Sequence, residues 1–139
     1  MIIPAKRSAF PLLLLLALSL ATIYVFSRPS RNATLEQSLH QQLLSDGSVN
    51  ALAAVADQTF STGKILQDSV VKDLRTRGLR EIVEIGGPKG LEGVYFVYGG
   101  GADSWYGVLV MRAGIVPPYA ESHLKKWSSN VWYYSEERL

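Results

Sequence analysis

The chain has 139 residues, 47% of them hydrophobic, 19% charged and 10% aromatic, a balance that excludes disordered, collagen-like and low-complexity classes. It contains no cysteine, which excludes a disulfide scaffold, a thiolate metal site and a cysteine nucleophile. The net charge of +2 comes from Lys6 and Arg7; beyond them 12 basic residues face 12 acidic ones, so the remainder is neutral.

Residues 9–26 carry no charge and include five successive leucines from Leu12 to Leu16. As a helix this run spans about 27 Å at about 1.5 Å per residue, close to the roughly 30 Å of a hydrocarbon core. It is therefore expected to be a single-pass anchor, with Tyr24 at one interface and Arg28 and Arg31 marking the exit into water. The alternative is a signal peptide with Ser19 and Ala21 at the −3 and −1 positions, cut before Thr22. Ile23, Tyr24, Val25 and Phe26 prolong the apolar run past that site and favour the anchor. The expected organisation is a cytoplasmic leader (1–8), the anchor or cleaved signal (9–26), a juxtamembrane linker (27–33) and an exported α+β domain (34–139).

Asn32-Ala33-Thr34 has the form of a glycosylation sequon, but Thr34, followed three residues later by Gln37, also fits a capping box opening a helix. Leu35, Leu39 and Leu43 then form one apolar stripe, stopped near Gly47. A second helix is expected over residues 50–59, with Leu52, Val55 and Ala56 on one side. A third, over residues 65–77, aligns Leu66, Val70 and Leu74, with the pairs Asp68–Lys72 and Asp73–Arg77 on its wet side. Gly78 suits a left-handed cap, with Leu79 closing back on Leu74. The cations Lys72, Arg75, Arg77 and Arg80 are interleaved with Asp68, Asp73 and Glu81, which reads as a solvated face rather than a nucleic-acid site.

From Leu79 the apolar period falls to two. Strands are expected over residues 79–85, 94–98 and 105–113, linked by glycine-rich turns into an antiparallel meander. Pro117-Pro118 then opens a short helix over residues 119–127, with Ala120, Leu124 and Trp127 sharing a face, and residues 131–135 form a last strand. The fold expected after the membrane helix is one small domain of two to three helices and a three- to four-stranded antiparallel sheet.

Chemistry is sparse. The two histidines, His40 and His123, have no partners at triad or metal spacing. The glycines at 99, 100, 101 and 107 lead into a strand, whereas a phosphate loop leads into a helix. No catalytic, cofactor or metal residue is expected. Ten aromatics from Tyr95 to Tyr134 crowd the last 45 residues, and alternate strand positions place Tyr95 and Val97 opposite Phe96 and Tyr98. One sheet face packs the helices; the other either finishes the fold with amphipathic rings or offers a binding patch. The expected patch surrounds the turn at residues 99–104 and consists of Tyr98, Asp103, Trp105 and Tyr106.

These features point to a membrane-anchored, non-catalytic binding or assembly module of the cell envelope. The runner-up is a secreted or envelope-resident inhibitor or immunity-type protein. Expected partners are the membrane, through residues 9–26, and a protein; the expected orientation has the amino terminus in the cytoplasm.

Overall fold

A computed structural model describes residues 18, 19, 22, 31–101 and 104–137. The expected anchor at 9–26 lies outside the described residues except for Leu18, Ser19 and Thr22, which are helical. Among the described residues no helix is long and apolar enough to cross a membrane. The chain divides into two units, Met1–Thr34 and Leu35–Leu139, and the architecture below belongs to the second.

Three helices, α1 (Arg31–Ser45), α2 (Ser48–Thr62) and α3 (Ser69–Thr76), precede five strands. The strands are β1 (Glu81–Gly87), β2 (Gly90–Gly101), β3 (Ser104–Met111), β4 (Leu124–Lys126) and β5 (Val131–Glu137). All neighbours pair antiparallel, in the order β1-β2-β3-β5-β4. The result is an α+β domain with one strand more than the upper count expected.

Helix α1 already runs through Thr34, so that residue lies inside the helix and does not open it. Its stripe is as expected on one side: Leu39 and Leu43 are buried, and Leu35 is half-buried. Gly47, at φ 72°, takes the left-handed conformation between α1 and α2, where a side chain would be strained. Helix α2 is longer than expected at both ends and buries Leu52, Val55 and Ala56, as its spacing implied.

Helix α3 corrects the expectation in phase. The Asp68 carboxylate accepts hydrogen bonds from the Val70 and Val71 backbone N–H groups, each at 3.0 Å, and so fixes the helix start at Ser69. Asp68 is thus a cap and not the partner of the Lys72 side chain. The buried face is Val71 and Leu74, while Val70 is 39% exposed and Leu66 lies before the helix. Asp73 and Arg77 do pair, at 2.8 Å. The helix ends as expected: Gly78 adopts φ 106°, and the Leu79 N–H donates to the Leu74 carbonyl at 3.0 Å.

The segment expected as a helix over 119–127 is a one-turn 3-10 helix (Glu121–His123) followed by β4. The stretch between Pro118 and Ser128 is too short to nucleate a stable helix by itself. Pairing with β5, Leu124 with Tyr134 and Lys126 with Trp132, satisfies its backbone instead. Its partner β5 sits beside β3, so the connection over residues 112–123 leaves the simple meander.

That connection gives the sheet two covered faces. On one side Phe96, Val108, Val110 and Tyr133 pack on Leu43, Leu52, Val71 and Leu74 of the helices. On the other, Tyr95, Val97, Leu109, Met111 and Tyr134 form a smaller core, against which Ile115 and Tyr119 of the connection pack. The cover is partial, and its gap holds the candidate site.

Candidate functional site

Alternation in the sheet decides which side chains meet. Glu81 and Val83 of β1, Tyr95 and Val97 of β2, Trp105 of β3, and Tyr134 and Glu136 of β5 all line a cleft on the helix-free face, with Tyr119 of the connection. The pairing registers place Glu81 beside Val97, Val83 beside Tyr95, and Trp105 beside Glu136. Gly107, facing Val97 on one side and Tyr134 on the other, adds no side chain between them. A Cβ there would collide with the Phe96 carbonyl, so the close approach of β2 and β3 requires glycine.

The cleft has a volume of about 270 Å³. Its rings meet at angles and do not form one flat platform. Tyr95 and Tyr134 stand edge to face, 5.2 Å apart at 85°, and Tyr119 lies 4.4 Å from Tyr134 at 36°. Trp105 is 37% exposed and Val83 39%, so the apolar rim is open to solvent. The polar groups are two carboxylates and the phenols: Tyr134 donates its hydroxyl to Glu136 at 3.3 Å, and the Tyr95 hydroxyl is buried with no hydrogen-bond partner among the described residues. Among the described residues no Lys or Arg lines the cleft.

Burial pushes the phenols of this face up. Tyr95 is raised strongly, first by desolvation and then by Tyr134, Tyr133, Tyr119 and Glu136. Tyr134 is pushed up to about 12 by burial and by the neighbouring Glu136 carboxylate. Tyr119 moves in the same direction, by burial first and Glu136 second. All three stay neutral over the physiological range.

The four residues expected to form the patch are distributed differently. Trp105 lies on the cleft. Tyr98 is 7% exposed and, with the half-buried Tyr106, faces the helices. Both line a smaller cavity of about 120 Å³ with Leu35, Gln42 and Gly78. Asp103 lies outside the described residues. Because Trp105 and Tyr106 are strand neighbours, they point to opposite faces, and the structure does not bring them together. Glu81, Val83 and Tyr95 carried a sequence signal, the alternation within their strands, and Tyr134 fell in the last expected strand, whereas Glu136 lies beyond the expected end of that strand at residue 135. Tyr119 carried none, since it sits on an irregular segment.

A second cluster couples α1 to the β4–β5 hairpin. Glu36, 6% exposed, accepts from Lys125 Nζ at 2.8 Å and from the Trp127 indole Nε1 at 2.6 Å, and His40 stacks on Trp127 at 4.2 Å. Burial by itself would raise this carboxyl, but the Lys125 and Trp127 hydrogen bonds and the Lys125 charge outweigh it and hold Glu36 below its usual range. Both carboxylate oxygens of Glu36 are paired, which marks a structural latch. His123 is placed by its Nδ1, 2.8 Å from the Ser135 carbonyl oxygen. Among the described residues no three His, Asp or Glu side chains are grouped as a metal site would require. Comparison with protein-family models, with curated proteins and with solved structures finds no match for this chain.

Proposed function

We propose that the protein is a membrane-tethered, non-catalytic binding module whose recognition surface is the aromatic cleft on the helix-free face of the sheet. One observation carries this reading: a concave site lined by Tyr95, Trp105, Tyr119 and Tyr134 stays open on an otherwise packed face. Aromatic rings supply large contact area with few rotors to freeze, so they dominate recognition energetics. Tethering rests on the uncharged run at residues 9–26 together with its basic flanks.

The test is partner capture from intact membranes with a photo-crosslinking residue at Val83, on the exposed rim, in the otherwise native chain and in the Trp105→Ala variant. The expected result is a discrete adduct that Trp105→Ala removes while the variant keeps the circular dichroism of the parent. An adduct of unchanged yield in the folded variant overturns the cleft as the recognition surface. A chain whose mature amino terminus is Thr22, recovered in the soluble fraction, overturns the tether and favours the secreted inhibitor.

A further inference from the structure

We infer that the connection between β3 and β4 is a hinged lid on the aromatic cleft, closed in this structure. The inference rests on the cleft being the recognition surface and adds how access to it is controlled. The segment is fastened at its two ends. At the β3 end the Arg112 N–H donates to the Glu92 carbonyl at 2.9 Å, and its guanidinium donates to the Leu91 and Phe60 carbonyls at 2.7 and 2.8 Å. At the β4 end the His123 Nδ1 lies 2.8 Å from the Ser135 carbonyl oxygen, and Leu124 pairs with Tyr134. Among the described residues no hydrogen bond or ion pair joins residues 113–120 to a strand. Lifting this stretch breaks no hydrogen bond to the sheet, and only side-chain packing opposes it.

That packing is one-sided. Ile115 and Tyr119 rest on the small core, with the Tyr119 ring 4.4 Å from that of Tyr134, while Val116 is 80% exposed. Pro117 and Pro118 fix their own φ angles, so the middle of the segment moves as a stiff piece. Gly114 supplies the hinge. It adopts φ 81°, a region that glycine enters and leaves at little cost, and a Cβ there would meet no atom within 4 Å. At the far end the chain turns through the single 3-10 turn Glu121–His123, whose hydrogen-bond geometry is weak. Tyr119 is the lid's contribution to the closed site. When it lifts, the cleft loses one wall, and the core containing Tyr134, Leu109 and Met111 is uncovered.

The experiment exploits the absence of cysteine, which lets one introduced thiol report by itself. Val108 and Leu109 are strand neighbours, each at most 1% exposed, but Val108 packs with the helices and Leu109 belongs to the core beneath the lid. Full-length Val108→Cys and Leu109→Cys, in detergent micelles, are labelled with methanethiosulfonate ethyltrimethylammonium over a urea series below the unfolding transition. Leu109→Cys should react at least about tenfold faster, through an opening that urea barely accelerates, because a lid exposes little surface compared with unfolding. Tyr119→Ala should speed Leu109→Cys about tenfold further, the scale of one lost ring contact, and keep that shallow urea slope. Equal rates for the two thiols, or a Leu109→Cys slope matching global unfolding, overturn the lid. An unchanged rate in Tyr119→Ala also overturns it, by placing the opening away from the connection. If Leu109→Cys loses the near-ultraviolet circular dichroism of the parent, Met111→Cys, fully buried in the same core, takes its place. Equal rates with a persisting Trp105-dependent adduct, as in the preceding section, sink the lid and leave the recognition surface standing. A fast Leu109→Cys without that adduct sinks the recognition surface and leaves only a moving segment.

Discussion

Glu36 shows how one residue can hold two elements whose contact lies nearly a whole domain apart in sequence. Its carboxylate leaves water but gains the Lys125 ammonium and the Trp127 indole N–H. Glu36→Ala leaves that indole donor unsatisfied and is expected to cost about 1–3 kcal/mol in chemical denaturation. Because the folded carboxyl titrates below its ordinary value of 4.5, its contribution is complete above that value and disappears as the pH falls through the folded value. Acid unfolding of the parent should therefore include a component below about pH 4.5 that Glu36→Gln lacks. A pH profile of the same shape in both would show that the latch contributes nothing. The tyrosines behave in the opposite sense. Tyr134, Tyr95 and Tyr98 are raised by burial, so their contribution is complete below the ordinary 10.0 and is lost as the pH climbs through the folded values, about 12 for Tyr134. Ultraviolet titration should show these phenols ionising together with unfolding, above the ordinary 10.0. Ionisation of all seven as one group near pH 10 would contradict their burial.

At the level of elements, α3 illustrates the difference between a pattern and a phase. Leu66, Val70 and Leu74 are evenly spaced, but the Asp68 cap sets the helix start and turns Val71, rather than Val70, toward the core. Leu74→Ala, at a fully buried position, is expected to cost about 2–5 kcal/mol, and Val70→Ala less than about 0.5 kcal/mol. Equal losses at the two positions by urea denaturation would refute this phase. The β4–β5 hairpin is the complementary case. Nothing local distinguishes the three residues Leu124–Lys126 as a strand; only the presence of β5 along their edge makes them one. By contrast, the α3 ending was legible because Gly78 and Leu79 act through hydrogen bonds to residues within one turn.

For the whole molecule, the proposed arrangement is an anchor at residues 9–26 with the α+β domain on the far side of the membrane. A reporter active only in the cytoplasm, fused after Leu139, should be silent, and one active only outside should work. The reverse result would invert the proposed orientation. In that arrangement the tether would confine the domain to the membrane surface, which would raise its effective concentration toward a membrane-bound partner.

The sequence by itself determined the α+β class, the three helices, the stop at Gly47, the closure of Gly78 and Leu79 on Leu74, and the location of four of the five strands. Each of these rests on interactions spanning a few residues or on a period that one segment carries by itself. Which strands are neighbours, the identity of β4, the Glu36 latch and the make-up of the cleft were decided only by the tertiary structure. Trp105 and Glu136 become partners through the pairing of β3 with β5, and Tyr119 reaches them through a connection without a period of its own. Alternation assigned the aromatics to two faces, but which face the helices would cover depends on contacts between segments far apart in the chain. That is why Trp105 reaches the cleft while Tyr98 and Tyr106 turn toward the helices.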